Sequence, residues 1–172
     1  MKHKISILYS WFVRSLTYFL PNIPVFMRFR GFLYALMMKK CGKNFQVTSS
    51  TIINSLAGFE VGDNVYIGPN TVIIAIDIKI ENEVLIGPNC VISGGNHTFL
   101  GKSFRFGKSE RGTVLISEGS WIAGNCTITS NSILPPRSIL AAGAVLTKKF
   151  TESDSIFAGT PACFIKSRLK ND

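Results

Sequence analysis

What the first quarter of this chain lacks is acid. Up to Lys43 there is no Asp or Glu, while Lys2, Lys4, Arg14, Arg28, Arg30, Lys39, Lys40 and Lys43 supply most of the formal net charge of +9. That bias points to contact with an acidic surface, for which anionic lipid is the best fit; a helical cap with solvated lysines is the alternative. Cysteine is present but unpatterned. Cys41, Cys90, Cys126 and Cys163 show no CxxC spacing, which excludes a disulfide frame or a zinc site of that type and points to free thiols in a reducing, cytoplasmic setting. No apolar run reaches the ~20 residues of a membrane span. The nearest candidate, ISILYSWFVRSLTYFL at 5–20, contains Arg14, and no small-residue cleavage site follows it. With 46% hydrophobic residues, disorder is excluded as well.

Residues 5–20 are instead an amphipathic helix. Ser6, Ser10, Arg14 and Thr17 recur at helical spacing as a polar stripe, and Ile5, Leu8, Phe12, Leu16 and Phe19 form the opposite face. Such a helix lies on a membrane or packs on its own protein. PNIP at 21–24 ends it, and a second helical stretch, roughly 25–39, carries Phe26, Phe29, Leu33, Leu36 and Met37. Residues 1–40 are thus a helical N-terminal region.

From Cys41 onward the period changes to six. Aliphatic residues fall at Val47, Ile53; Val61, Ile67, Ile73; Ile80, Ile86, Ile92; and again at Ile116, Ile122, Ile128, Leu134, Leu140 and Leu146. Four places later the residue is usually small, as at Thr51, Ala57, Thr71, Cys90, Cys126 and Ala144, and turn formers such as VGDN and IGPN lie between. A beat of six fits neither a helix nor long alternating strands. It fits a mainly β fold in which short strands and turns wind into a triangular solenoid. The beats group in threes starting at 41, 61, 80, 116 and 134, which predicts about five coils over 41–150. Residues 151–172 remain as a C-terminal tail or short helix that caps the stack. Cys90 and Cys126 fall in small inward slots, as core residues.

The metre breaks once, in ISGGNHTFLGKSFRFGKSERGTVLIS at 92–117, which contains His97. The excursion, 98–114, is basic and aromatic. No nucleic-acid motif accompanies it, so a lid beside His97 is the better account than nucleic-acid binding. By spacing alone, Asp77 and Asn96 take the inward slot of one corner, one coil apart. A charge there is costly unless paired, so Asp77 is expected to face an acceptor site, with a solvated turn residue as the alternative.

The order of GGNH, an excursion, SWIAGN, AAGAVLTK and AGTPA resembles the hexapeptide-repeat acetyltransferases, closest to sugar O-acetyltransferases of the galactoside, maltose and surface-polysaccharide type. The likeness covers roughly 41–169. It implies a left-handed parallel β-helix, a homotrimer, and acetyl-CoA bound between subunits with no metal. It implies His97 as the general base that takes the proton of a sugar hydroxyl as it attacks the thioester. It implies an acceptor-binding acidic residue near Asp77; spacing adds Asn96 as a second acceptor-binding residue, and Glu118, just after the excursion, as either a group that orients His97 or an ordinary turn residue. Trp121 and Gly124 go to the acetyl and pantetheine end, Ala142 and Thr147 to the pantetheine arm, and Lys148, Lys166 and Arg168 to the phosphates of CoA. Relatives often carry serine at the position of Gly124 and glycine at that of Ala141. The implied activity is O-acetylation of a carbohydrate in capsule, exopolysaccharide or lipopolysaccharide synthesis; the cysteines and the basic N-terminal region add the expectation of a cytoplasmic protein, peripheral to the membrane, whose acceptor is lipid-linked or free. N-acetylation of an amino-sugar nucleotide, antibiotic acetylation and a non-catalytic membrane-docked scaffold stay open. A zinc hydratase on this fold needs three histidines per metal, and the chain has His3 and His97 only; His3 is expected to be incidental.

Overall fold

The structure is a computed structural model and describes residues 2–169. Its body is a three-faced prism of short parallel strands. The first face stacks Lys40–Cys41, Phe59–Val61, Ile78–Ile80, Val114–Ile116 and Ile133–Leu134. The second stacks Gln46–Val47, Tyr66–Ile67, Leu85–Ile86, Trp121–Ile122, Ile139–Leu140 and Ser155–Ala158, and the third Ile52–Ile53, Val72–Ile74, Val91–Ser93, Thr127–Ile128 and Val145–Leu146. The periodic residues meet in register: Cys41 pairs Val61, Val61 pairs Ile80, Ile80 pairs Ile116 and Ile116 pairs Leu134. Five coils are complete, and Ser155–Ala158 adds a sixth rung to the second face, beyond residue 150.

Each beat residue from Val47 to Leu146 is buried at 0–2% exposure, so the aliphatic column is the core. Every inward Ile or Leu contributes about 1.5–3 kcal/mol by leaving water. The turn formers serve the edges. Between the first and second faces, Asn44, Asn64, Glu83, Gly119, Arg137 and Asp154 all have positive φ; between the second and third, Asn70, Asn89, Asn125 and Gly143 do. A left-handed residue at the same place in each coil turns the chain sharply, and Asn and Gly tolerate that conformation best.

Among the described residues of the C-terminal tail there is no helix. Cys163–Ser167 returns antiparallel on Ser155–Ala158. Phe157 stacks on Phe150 with centroids 4.2 Å apart, and Phe164 meets Phe157 edge-on, so aromatic rings close the stack.

At the other end, helix α1 (Lys2–Thr17) and helix α2 (Pro24–Ala35) lie across the first coil. The amphipathicity of α1 is inverted relative to a packed helix. Ser6, Ser10, Val13 and Thr17 face the prism and are buried, while Ile5, Leu8, Trp11, Phe12 and Leu16 are 50–66% exposed. The polar stripe is inside because the end of a solenoid is a strand edge with unpaired carbonyls. Ser10 donates to the Ile53 carbonyl. From α2 the fully buried Arg30 donates to the Val47 carbonyl, to both oxygens of Thr17 and to the Leu20 carbonyl, which also caps the end of α1. The buried face of α2 is Met27, Arg30, Gly31 and Tyr34, and Phe29 and Leu36 point outward.

Candidate active site

Insertions into the metre all occur at one edge, between the third face and the first. Ile128 to Leu134 is six residues, but Ile53 to Val61 is eight, Ile73 to Ile80 seven and Ile92 to Ile116 twenty-four. The last is the excursion, and its base is not a loop. Gly95–His97 pairs antiparallel with Ser109–Arg111, so the excursion is a two-stranded hairpin over 95–111, and Val114 already belongs to the first face. His97 lies at the end of its strand, exposed, opposite Ser109. The Thr98 amide and hydroxyl both bond the Lys108 carbonyl, which fixes the chain just past His97. At the tip Phe99 and Phe104 meet edge-on, and Phe106 is 77% exposed.

The same insertions correct the placement of Asp77 and Asn96. They do share this edge, one coil apart, but neither points inward. Ala75 and Gly94 take the buried slots, and both Asp77 and Asn96 are exposed. Asp77 accepts a hydrogen bond of 3.0 Å from the Thr113 hydroxyl, just where the hairpin rejoins the prism. One coil earlier, Leu56 fills the slot that spacing assigned to Ala57, which is exposed. Cys90 and Cys126 are core residues, at 0% and 1% exposure. Cys90 donates to the Ala123 carbonyl and Cys126 to that of Ala141; the neighbouring Cys90 sulfur, and then burial, push the Cys126 thiol up.

Glu118 is on another edge, between the first and second faces. Its amide donates to Glu81, whose carboxyl Lys79 holds below the usual carboxylate range. The width of the first face separates it from His97, so within one chain it does not orient that ring. The residues assigned to CoA spread over the later coils. Trp121, 46% exposed, heads an outward row on the second face that continues through Ile139 and Ile156 to Lys166. At about 4.8 Å per rung this row is about 14 Å long. Gly124 and exposed Ala142 lie beside it at the edge between the second and third faces, where the Gly143 amide donates to the Gly124 carbonyl. Thr147 and Lys148 sit across the third face, on the edge of His97 but two coils later; the Lys148 ammonium stands 5.1 Å over the Phe150 ring. Arg168 is committed elsewhere. Its amide bonds the Asp154 carbonyl and its guanidinium the Arg137 carbonyl, so it anchors the C-terminal strand.

One residue set aside as incidental is built in. His3 Nδ1 lies 3.0 Å from the Ser55 hydroxyl, and the two line a cavity of about 460 Å³ on the inserted edge, with Ala57, Gly58, Ala75, Ile76, Ser109 and Arg111. Its only sequence signal was the polar stripe, since Ser6 lies on the same helix face and reaches the same serine. Among the described residues no group of three or more His, Cys, Asp or Glu side chains is placed to hold a metal.

A solved hexapeptide-repeat acetyltransferase of Vibrio cholerae O1 biovar eltor, in complex with acetyl coenzyme A, matches 97% of this chain and 89% of its own with a TM-score of 0.82 at 20% identity. The shared fold is the left-handed β-helix. A colanic acid biosynthesis acetyltransferase, WcaF, of Escherichia coli (strain K12) is 23% identical over 168 residues, 94% of this chain and 87% of that one. A galactoside O-acetyltransferase of Lactococcus lactis subsp. lactis (strain IL1403) is 26% identical over 111 residues, 64% of this chain and 53% of that one. The chain is a relative of acetyltransferases, with the fold of the hexapeptide-repeat kind. No protein-family model matches the sequence.

Proposed function

We propose that this chain is an acetyl-CoA-dependent O-acetyltransferase acting on a carbohydrate, with His97 as general base, in the assembly of a surface polysaccharide. One observation carries the reading. A prism that superposes along nearly its whole length on an enzyme solved with acetyl-CoA has a single long break, and the base of that break presents His97 on an ordered strand. The WcaF relative supports the polysaccharide setting, and the galactoside relative supports transfer to oxygen.

In this reading the imidazole of His97 takes the proton of an acceptor hydroxyl as the oxygen attacks the thioester carbonyl. The C–O bond forms, the C–S bond breaks, and the imidazolium returns its proton to the departing CoA sulfur. Imidazole titrates near neutrality, which lets it serve as base and then as acid. Within one chain His97 and the Trp121 row lie on different sides of the prism. A cyclic homotrimer sets unlike sides of neighbouring prisms together, and that supports a cleft in which the His97 edge of one protomer faces the Trp121 row of the next. Asp77 stands at the foot of the hairpin beside the acceptor, Asn96 lies on the hairpin's other side, and Trp121, Gly124, Ala142, Thr147, Lys148 and Lys166 line the path of CoA.

The cap supports a peripheral membrane contact. Its outer face is the base of the prism and carries Leu8, Trp11, Phe12, Leu16 and Phe32, in a region whose sequence is basic and has no acid before Glu60. An apolar surface in a positively charged region matches an anionic bilayer, whereas a second copy would bring like charge against it. No helix among the described residues is long and apolar enough to cross a membrane. The acceptor is then a lipid-linked saccharide met at the inner face of the membrane.

The test is His97→Ala. Turnover of acetyl-CoA with a saccharide panel is expected to fall by about 10²–10⁴, with acetyl-CoA affinity by calorimetry preserved. Full activity in this variant would refute the role. Running hydroxyl and amine acceptors side by side separates O- from N-acetylation.

A further inference from the structure

We infer that the acceptor carries an anionic group, a carboxylate or a phosphate, and that Arg111 receives it in the cavity beside the excursion hairpin. The hairpin register sets the geometry. Gly95 pairs Arg111 and His97 pairs Ser109, so in an antiparallel pair all four residues project to one side. Ser109 and Arg111 line the cavity, which puts His97 on the cavity side as well. His97 and Arg111 stand two residues apart along the pair, about 7 Å, the span of one sugar ring. A hydroxyl presented to His97 and an anion held by Arg111 therefore belong to the same sugar or to its immediate substituent.

The lining suits such a ligand. Its apolar lining is Ala57, Gly58, Ala75 and Ile76, a surface for the C–H face of a pyranose. Its polar lining is His3, Ser55, Ser109 and Arg111, and no carboxylate is among them. The acids of the neighbourhood are directed elsewhere. Glu110 projects from the opposite side of the hairpin, and Asp77 accepts from Thr113. Arg111 has no ion pair or hydrogen bond with another described residue; the ion pairs there are Lys39–Glu60, Lys79–Glu81 and Arg137–Asp154. A guanidinium fork without a protein partner, lining a cavity free of acid, is matched to a carboxylate or phosphate.

The anion is not one of CoA's own. The cavity is built from the edge loops of the first two coils, the start of α1 and the hairpin, whereas the CoA candidates lie on the fourth and fifth coils and the C-terminal strand. Acceptor and donor thus approach His97 from opposite ends of the prism. Calling this ligand the acceptor rests on the acetyltransferase reading; its binding does not.

The experiment therefore measures binding before turnover. The full-length protein is titrated by calorimetry with methyl β-D-glucuronide, glucose 1-phosphate and, as the neutral control, methyl β-D-glucoside. One anionic ligand is expected to bind about ten-fold more tightly than the glucoside, and which one it is separates carboxylate from phosphate. Arg111→Met is expected to erase the difference and Arg111→Lys to keep part of it. With acetyl-CoA present, Arg111→Met should lower kcat/KM for the anionic acceptor about ten-fold more than for the neutral one. Equal affinity for the three saccharides, or a preference that survives Arg111→Met, overturns the assignment. So does a loss of acetyl-CoA affinity in Arg111→Met as large as the loss for the saccharide, which would give Arg111 to the coenzyme. Arg111-dependent anion binding without acetyl transfer to any acceptor would leave this site standing and remove the acetyltransferase reading instead.

Discussion

Asparagine at a coil edge is the most repeated device in the molecule, and its exceptions are informative. Asn44 and Asn64 occupy left-handed positions on successive coils, and the Asn44 amide donates to the Asn64 side chain at 2.9 Å. The next coil has Glu83 at the same place, exposed, with φ of 58°. A side chain without Asn's local hydrogen bonding costs about 1–2 kcal/mol there. Glu83→Asn is expected to raise stability by about 1 kcal/mol, read as a higher urea midpoint with unchanged slope, and to extend the amide ladder by one rung. An unmoved midpoint would mean that Glu83 gains elsewhere what its backbone loses. Such positions are legible in the sequence because they follow the metre. Asp77 and Asn96 were not, because the residues inserted at their edge, one before Ile80 and eighteen before Ile116, change which side chain points inward.

Elements at the two ends are held by polar contacts to the last rungs, and these have a pH signature. The C-terminal strand Cys163–Ser167 is tied to the prism through Asp154, which takes both nitrogens of a fork from Arg137 at 2.7 Å while its carbonyl accepts from the Arg168 amide. Arg137 holds the Asp154 carboxyl below its usual range. A lowered folded value means that the stabilisation is present above the unfolded value, about 3.9, and is lost as pH falls through the folded one. Amide exchange in the C-terminal hairpin should therefore quicken below about pH 4. Asp154→Asn should show the faster exchange already at neutral pH, with the acid dependence gone. At the opposite end the ties are Arg30, Ser10 and Ser6, and they explain why an amphipathic pattern alone misdirects. The stripe at Ser6, Ser10 and Thr17 had the right period, but its target was a row of strand-edge carbonyls, so the polar face went in.

The whole molecule is a prism with two unlike ends and one interrupted edge. Its C-terminal end is sealed by Phe150, Phe157 and Phe164, whereas its N-terminal base leaves a broad apolar surface on the outside. If that base docks on lipid, the protein should sediment with vesicles containing phosphatidylglycerol and not with pure phosphatidylcholine, and salt should weaken the association. Replacing Leu8 and Phe12 together by Glu should abolish sedimentation and leave the fold intact by circular dichroism, since both side chains already face solvent. Failure of the unaltered protein to pellet with anionic vesicles would dispose of the docking reading.

The coil count, the identity of the core column and the edge turns were settled by order along the chain, which also singled out His97 as the residue to test. Each depends on contacts between rungs that repeat at a fixed spacing, so local pattern and packing agree. Three-dimensional packing alone settled the inversion of α1, the antiparallel close of the C-terminal strand, the separation of Glu118 from His97 and the cavity that joins His3 to Arg111. Those contacts join segments with no common period, 50 residues or more apart in the case of His3 and Ser55, and the free energy that selects them comes from unpaired carbonyls and open edges that exist only once the prism has formed.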